Sequence, residues 1–370
     1  MFFHQIVRQD IGCAAYIVGS TDAGEAAVID PRIDMVDEII GIAAQEALRI
    51  RYVIETHNHA DHVAGHHQLA QRTGAAIAVH EAAGVNYPHR PLHDGEELAL
   101  GEVRLRVLHT PGHRPEHIAI AAIDTTRGDE PWLVLTGDSL FIGDVARPDL
   151  AIDGREGAAA LFHSLRQQLL RLPEGTMVYP GHVSGSLCGR VTNRVTWTTI
   201  GFERRSNPAL AITDEARFVA FMNESLPERP PNMARIVDLN RAAVPLDGST
   251  PMPLEPDDVA RHQADGAIVL GVREPGEFVA GHIPGARSVA RASGQFQNRV
   301  GLIVPPDAEI VLVASSDGEA MAAADALSVI GLDKVTGYLA GGMARWQAAG
   351  RDYATLPEIT VRELQARRAE

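Results

Sequence analysis

The stretch THNHADH, residues 56–62, places three histidines and an aspartate within seven positions. It follows the apolar run at residues 52–54, so His57 and His59 come directly after a predicted strand and can point to the same side. Neutral imidazoles and a carboxylate are typical ligands of divalent Zn, Fe or Mn. The stretch therefore predicts a metal centre.

Three further stretches place metal-type side chains after apolar strands: TPGH (110–113), TGD (136–138) and YPGH (179–182). Strands of α/β folds present their chemistry at their carboxyl ends, so these side chains converge if the strands share a sheet. Coincidence would have to recur in four strand-turn contexts, and we interpret the set as one site. The candidate ligands are His57, His59, Asp61, His62, His113, Asp138 and His182. The remaining loop histidines, and His117, are interpreted as structural.

Strand and helix patterns alternate around these stretches. The first 30 residues predict a hairpin, residues 35–48 a helix, and Asp61 and His62 are expected to open a second helix that runs through Leu69. Further strands are predicted at 51–55, 75–79, 103–108, 132–136 and 177–179, with a helix at 158–170. The pattern predicts an α/β domain of sheets covered by helices.

A proline-rich stretch, VPLDGSTPMPLEPD at residues 244–257, predicts a linker. A second, smaller α/β pattern follows it. We expect a first domain over residues 1–243, a linker over 244–256, a second domain over 257–358 and a C-terminal tail over 359–370.

The composition excludes several classes of protein. The net charge of -15 disfavours nucleic acid as a partner. No apolar run approaches the roughly 20 residues that span a bilayer, and the N-terminus lacks the pattern of a secretion signal. The 370 residues contain two cysteines, Cys13 and Cys188, too few for a disulfide framework. We expect a cytoplasmic protein.

The series THNHADH, TPGH, TGDSLF and YPGH resembles the metallo-β-lactamase superfamily. This resemblance covers about residues 1–240 and implies an αββα sandwich with the metal between the edges of its two sheets. Within the superfamily, glyoxalase II, a thioester hydrolase, has the same ligand types and two zinc ions. One ion would be held by His57, His59, His113 and a bridging Asp138, and the other by Asp61, His62, Asp138 and His182.

A second resemblance points to different chemistry. Residues 136–150, 185–210 and 226–241 are similar to persulfide dioxygenases, particularly those fused to rhodanese domains. That family binds one Fe(II) per chain, and by motif position the iron ligands and catalytic residues are His57, His113 and Asp138. His59, Asp61, His62 and His182 then orient the ligands or tune the iron. The implied reaction oxidises a low-molecular-weight thiol persulfide, such as glutathione persulfide, with O2 to sulfite and the thiol.

The roles of three more residues are left open by the sequence. Arg147 can bind an anionic group of the substrate or pair with a neighbouring carboxylate. Cys13 and Cys188 could react with persulfides if exposed, whereas buried thiols are usually inert.

The second pattern resembles rhodanese domains through residues 267–289 and 335–350. A rhodanese carries sulfur on a cysteine after its central strand, and C-x-x-G places Ser315 at that position. A serine hydroxyl cannot accept and return a sulfur atom as a thiolate does. Asp317 and Glu319 add negative charge, and Gly271 replaces a usual aspartate. We expect a rhodanese fold without sulfurtransferase activity; relatives with this architecture imply a homo-oligomer.

Overall fold

The structure is a computed structural model that describes residues 1–183, 195–224, 226, 228–243 and 250–368. Cys188 and part of the predicted linker lie outside the described residues. The chain divides into two compact units, Met1–Leu246 and Asp247–Glu370. None of the helices in the described ranges has the length and apolarity needed to span a bilayer.

The first unit contains two sheets, each formed by six of the described strands. The first sheet has the strand order β1-β2-β3-β4-β5-β6. Its strands are β1 (Phe2–Arg8), β2 (Cys13–Ser20), β3 (Glu25–Ile29), β4 (Arg49–Ile54), β5 (Ala76–His80) and β6 (Arg90–Leu92). The pairs β1-β2 and β2-β3 are antiparallel, and the pairs from β3 to β6 are parallel.

The second sheet has the order β12-β11-β10-β9-β8-β7. All its pairs are antiparallel except β10-β11, which is parallel. Its strands are β7 (Glu97–Leu100), β8 (Val103–His109), β9 (Ile118–Asp124), β10 (Leu133–Gly137), β11 (Met177–Pro180) and β12 (Thr198–Thr199).

Alternation along the strands builds a layered core. On β2, Tyr16 faces the other sheet and packs in one cluster with Leu105 and Ile120, whereas Ile17 faces outwards and packs with Ile39 of a covering helix. The outer face of the second sheet likewise packs in one cluster with Leu161 and Leu165 of a helix, so both faces of each sheet are apolar, as expected for sheets covered on both sides. The first-unit helices are α1 (Val36–Gln45), α2 (His66–Thr73), α3 (Gly154–Gln167), α4 (Ile200–Ser206), α5 (Glu215–Asn223) and α6 (Met233–Arg241).

Two local expectations need correction. The helix after THNHADH begins at His66 and not at Asp61, because residues 61–65 form a non-helical turn that carries Asp61 and His62. Strand β9 was not predicted, yet every residue of IAIAAID is buried within the second sheet. Its run of alanine and isoleucine shows no alternation, since both of its faces are covered.

The second unit is a parallel sheet with helices. Its described strands have the order β13-β17-β16-β14-β15, and every pair is parallel. The strands are β13 (Met252–Leu254), β14 (Ile268–Gly271), β15 (Arg287–Ser288), β16 (Ile310–Val313) and β17 (Val335–Leu339). The helices are α7 (Pro256–Ala264), α8 (Pro275–Ala280), α9 (Phe296–Ile303), α10 (Asp317–Val329), α11 (Gly342–Ala348) and α12 (Val361–Arg367).

Gly157 shows how closely helix α3 approaches the loop before it. A Cβ at Gly157 would lie 2.1 Å from the carbonyl oxygen of Pro148, whereas a Cβ at Gly41 in α1 would meet nothing within 4 Å. We expect Gly157→Ala to lower the free energy of unfolding by about 1–3 kcal/mol through overpacking. The matched change Gly41→Ala should raise it by about 0.5–1 kcal/mol. Urea denaturation measures both, and equal effects would contradict the prediction.

Candidate metal centre

The predicted ligands lie beyond the carboxyl ends of four strands. The THNHADH loop follows β4, His113 lies after β8, Asp138 follows β10, and His182 follows β11. The amide of Ile118 donates to the carbonyl of Thr56 over 2.9 Å, so a backbone hydrogen bond joins the tip of the first sheet to the second. The topology thus gathers the side chains at one edge of the sandwich.

Three of the candidates form a compact group, which we call the His57 cluster: His57, His113 and Asp138. Their potential ligand atoms all lie within 4.8 Å of one another, and all three residues are buried. His113 Nε2 is 3.7 Å from Asp138 Oδ2. Burial, with neighbouring imidazoles, lowers the pKa of His57 well below its usual value, and burial lowers the pKa of His113. Both imidazoles are therefore neutral and suited to metal ligation.

Hydrogen bonds fix which nitrogen of each imidazole is left for a metal. His113 Nδ1 donates to the carbonyl of Arg147 over 3.0 Å, which leaves Nε2 with its lone pair. The Thr56 hydroxyl donates to Asp30 over 2.8 Å and lies 2.9 Å from His57 Nδ1. That hydroxyl therefore accepts the Nδ1 proton, and His57 Nε2 is left to bind a metal. Outer hydrogen bonds of this kind orient metal-binding imidazoles in many proteins.

Asp138 is oriented from two sides. Its Oδ1 accepts from His182 Nδ1 over 2.7 Å, and its amide donates to His117 Nε2 over 2.9 Å. Although burial disfavours its charge, His182 lowers the pKa of Asp138 to about 2. Its Oδ2 is buried without a hydrogen-bond partner among the described residues. A buried carboxylate oxygen seldom stays unpaired, so this orphan atom and two oriented imidazoles fit a divalent cation.

The His59 ring packs against the His57 ring, with centroids 4.1 Å apart, but its Nε2 is directed at two carboxylates outside the His57 cluster. Its Nε2 lies 3.3 Å from Asp30 Oδ1 and 3.2 Å from Glu55 Oε2, and the three residues form a separate buried group. Burial opposes the charged imidazole, but Asp30 and Glu55 together raise the pKa of His59 well above its usual value. Asp30 has a φ of 51°, in the left-handed region that non-glycine residues seldom adopt.

The remaining candidates gather around a cysteine. Asp61, His62 and His182 converge with Cys13 in a fully buried group, which we call the Cys13 cluster. His182 Nε2 lies 2.6 Å from Asp61 Oδ2, while its other nitrogen reaches Asp138. His182 therefore joins the two clusters through one imidazole ring.

Arg147 is buried and pairs with a carboxylate. Its Nε lies 2.7 Å from Asp149 Oδ1 and its Nη2 lies 2.9 Å from Asp149 Oδ2. Arg229 donates to the same carboxylate. This geometry matches the expected pairing of Arg147 with a neighbouring carboxylate. Contact of Arg147 with the substrate stays a prediction.

In the second unit, Ser315 follows strand β16 on an exposed loop. Its hydroxyl donates to Glu277 over 2.8 Å, and its amide donates to Glu319 over 2.7 Å. The chain's two cysteines are Cys13 and Cys188, so this unit contains none.

Comparison with known proteins agrees with both halves of this architecture. A family model described as the metallo-beta-lactamase superfamily matches residues 8–182, and one described as a rhodanese-like domain matches residues 255–349. A solved metallo-beta-lactamase from Staphylococcus aureus is 28% identical with a TM-score of 0.81, covering 92% of this chain and 99% of its own. The chain has a metallo-β-lactamase fold followed by a rhodanese-like domain.

Two curated relatives resemble the metallo-β-lactamase domain. The mitochondrial persulfide dioxygenase ETHE1 of Bos taurus is 28% identical over 211 residues, which are 56% of this chain and 75% of that protein. A hydroxyacylglutathione hydrolase of Polaromonas is 32% identical over 170 residues, which are 45% of this chain and 60% of that protein. The two relatives have different activities, so sequence similarity alone does not separate a dioxygenase from a hydrolase.

Sequence reasoning missed several residues of this metallo-β-lactamase domain. Asp30 and Glu55 each end an apolar strand, a signal that could have marked them. The interpretation of His117 as structural did not identify its partner: its Nε2 accepts the amide hydrogen of Asp138. Burial lowers the pKa of His117 to about 3, so it stays a neutral acceptor. Cys13 carried no pattern that would have marked it.

The Thr56 hydroxyl offers a direct test of the outer hydrogen bonds. Thr56→Val preserves the shape of the side chain but removes the group between Asp30 and His57. We expect metal affinity to fall about 10–100-fold, as for other outer-contact mutants. Competition with a chelator measures the affinity, and Thr56→Ser is the matched control that should stay near the original value. Unchanged affinity in the valine variant would contradict the proposed role.

Proposed function

We propose that the metallo-β-lactamase domain is an Fe(II)-dependent persulfide dioxygenase with one catalytic iron per chain. It would oxidise a low-molecular-weight thiol persulfide, with glutathione persulfide the favoured version, by O2 to sulfite and the thiol. The observation that carries the proposal is the separation of His57, His113 and Asp138 from His59.

Two histidines and one carboxylate suit oxygen chemistry at iron. Such a ligand set leaves about three positions of an octahedral Fe(II) open to the persulfide sulfur and to O2. The hydrolase set would require His59 beside His57 and His113. To reach that position, the His59 ring would have to leave the two buried carboxylates Asp30 and Glu55. Glu55 would keep His66 at 3.0 Å and Asp30 would keep the Thr56 hydroxyl at 2.8 Å.

The protein's own contribution is to hold the ligands. Thr56 and the Arg147 carbonyl orient the two imidazoles, and His117 and His182 orient Asp138. The Arg147 side chain remains a candidate for contact with an anionic group of the substrate.

A cytoplasmic location also belongs to the proposal, supported by the presence of only two cysteines in the sequence. A homo-oligomeric state belongs to it as well, supported by the resemblance to persulfide dioxygenases.

The alternative is a thioester hydrolase with two zinc ions. It is favoured by one observation: Asp61, His62 and His182 lie beside the His57 cluster and include the donors that a second metal would use. His59 argues against it, because the hydrolase set requires that histidine as a ligand of the first ion.

Metal content and oxygen consumption separate the two functions. Protein purified without oxygen should hold about one iron per chain and consume O2 when glutathione persulfide is added. His113→Ala should lose the iron, because it removes a ligand. His62→Ala should retain the iron, because His62 lies in the Cys13 cluster.

Two results would argue against the dioxygenase. The first is two zinc ions per chain with thioester cleavage and no O2 uptake. The second is loss of iron from His62→Ala to the same extent as from His113→Ala, with both variants folded by circular dichroism.

We further propose that the rhodanese-like domain lacks sulfurtransferase activity, with Ser315 at the position of the catalytic cysteine. An active loop presents its amides to an anion. Here the Ser315 amide already donates to Glu319, and Glu277 lies against the hydroxyl. The two carboxylates, Glu277 and Glu319, would oppose binding of the thiosulfate anion.

Ser315→Cys tests whether a thiol at this position is sufficient for sulfurtransferase activity. In the full-length protein we expect thiosulfate:cyanide sulfurtransferase activity to stay at background in Ser315→Cys, because the two glutamates oppose the anion. The triple change Ser315→Cys, Glu277→Ala, Glu319→Ala should exceed it by at least about tenfold, the effect of about 1.4 kcal/mol. Activity typical of a rhodanese in the unchanged protein would show that Ser315 has been misread.

A further inference from the structure

Arg114 directly follows the candidate ligand His113, in the loop between β8 and β9. Its side chain is 8% exposed, and its Nε donates to Glu116 over 2.7 Å. We propose that the Nη1 and Nη2 groups of Arg114 bind a carboxylate of the persulfide substrate. This inference rests on the proposed function and names the part of the substrate that the domain recognises.

Other buried arginines of the metallo-β-lactamase domain use more of their donors. Arg32 donates through all three of its nitrogens to two carboxylates. Arg147 donates through Nε and Nη2 to Asp149. A guanidinium has five N–H donors, and within the described part of the chain Arg114 makes a hydrogen bond through Nε alone. The edge formed by Nη1 and Nη2 is therefore left for a ligand.

Burial makes these donors of Arg114 informative. A largely buried side chain has little access to water, and a buried polar group without a partner costs free energy, more so when it is charged. A partner with a negative charge would offset this cost. Because the two Nη groups form a planar fork that matches the two oxygens of a carboxylate, we expect the ligand to be a carboxylate.

Glu116 fixes the guanidinium without using its whole charge. Its Oε1 accepts from Arg114 Nε, and also from the amide and the side chain of Asn58 over 3.2 and 2.8 Å. Although burial disfavours its charge, Arg114 lowers the pKa of Glu116, so this carboxylate stays ionised. Since Asn58 compensates part of that negative charge, Arg114 can also bind a second carboxylate.

The guanidinium lies beside the candidate iron ligands. Asn58 directly follows His57, and Arg114 directly follows His113, so the contacts of Glu116 join the two loops that provide the imidazoles. Burial is the first cause that lowers the pKa of His57 and of His113, and the charge of Arg114 adds to it at both. A substrate whose sulfur binds at the His57 cluster would therefore have a cation next to it.

The carrier thiol is the part of the substrate that can meet this cation. In the proposed reaction the terminal sulfur of the persulfide binds the iron, so the remaining charged groups are those of the carrier. Glutathione has two carboxylates, whereas simple alkyl thiols have none. Arg147 already donates to Asp149, which makes Arg114 the better candidate of the two arginines for this contact.

Glutathione binding in the absence of O2 tests the contact without turnover. Full-length protein purified without oxygen is titrated by calorimetry with glutathione and with glutathione diethyl ester, in which both carboxylates are neutral. We expect glutathione to bind at least about tenfold more tightly. The double change Arg114→Met, Glu116→Gln removes both charges of the pair and should abolish this difference. The matched change Arg72→Met, at an exposed arginine of helix α2, should preserve it.

Oxygen uptake gives a second readout. In the double variant, we expect the KM for glutathione persulfide to rise about 10–100-fold, the loss expected of one charge-assisted contact. The kcat should stay near its original value, because the carboxylate lies away from the reacting sulfur. The KM for 2-mercaptoethanol persulfide, which has no carboxylate, should not change.

Two outcomes would overturn the proposal. The first is equal affinity of the unchanged protein for glutathione and its diester, a measurement that needs no variant and decides even if the double variant fails to fold. The second is an equal rise in KM for persulfides with and without a carboxylate. An unchanged protein that takes up no O2 with either persulfide would refute the dioxygenase, whereas calorimetry tests the carboxylate contact by itself.

Discussion

The organisation of the site depends on the two hydrogen bonds that the His182 imidazole makes to carboxylates. Its two nitrogens lie 2.7 Å from Asp138 and 2.6 Å from Asp61, and all three side chains are buried. Burying a carboxylate costs free energy unless a cation or hydrogen bonds compensate it. Because one ring compensates two carboxylates from different loops, it fixes the loops after β4, β10 and β11 relative to one another.

The THNHADH loop also depends on a residue far along the chain. Asn240, in helix α6, donates to the carbonyls of His59 and His62 over 3.0 and 2.8 Å and accepts from the amide of Ala64 over 2.8 Å. Asn240 is buried, so these contacts replace hydrogen bonds to water that the loop cannot make. Helix α6 therefore supports the loop that carries the candidate ligands.

The sequence predicted which residue types would gather, but not how they divide. Each of the four motifs follows an apolar strand, and strand ends in a layered α/β domain meet at one edge, so convergence followed from pattern alone. The division of His57 from His59 depends on ring orientation, which Asp30 and Glu55 decide from outside the motif. Cys13 reaches the cluster through pairing of β2 with the loop after β11, a contact 169 residues apart that no local pattern encodes. Strand β9 was missed because a strand covered on both faces loses its alternation.

If the rhodanese-like domain lacks sulfurtransferase activity as proposed, the contacts of the loop after β16 explain how its fold persists without that chemistry. The sheet is held by buried residues such as Val311 and Val313, which lie on the strand and not on the loop. At the loop, the Ser316 side chain accepts from the Glu319 amide over 3.2 Å and caps helix α10, while the Glu319 carboxylate accepts from the Ser315 amide. A carboxylate near a helix N-terminus is stabilising, so these contacts favour the loop without any bound anion. On this proposal, Glu319 both stabilises the loop and would oppose an anionic substrate, so loss of transfer chemistry need not cost the domain its fold.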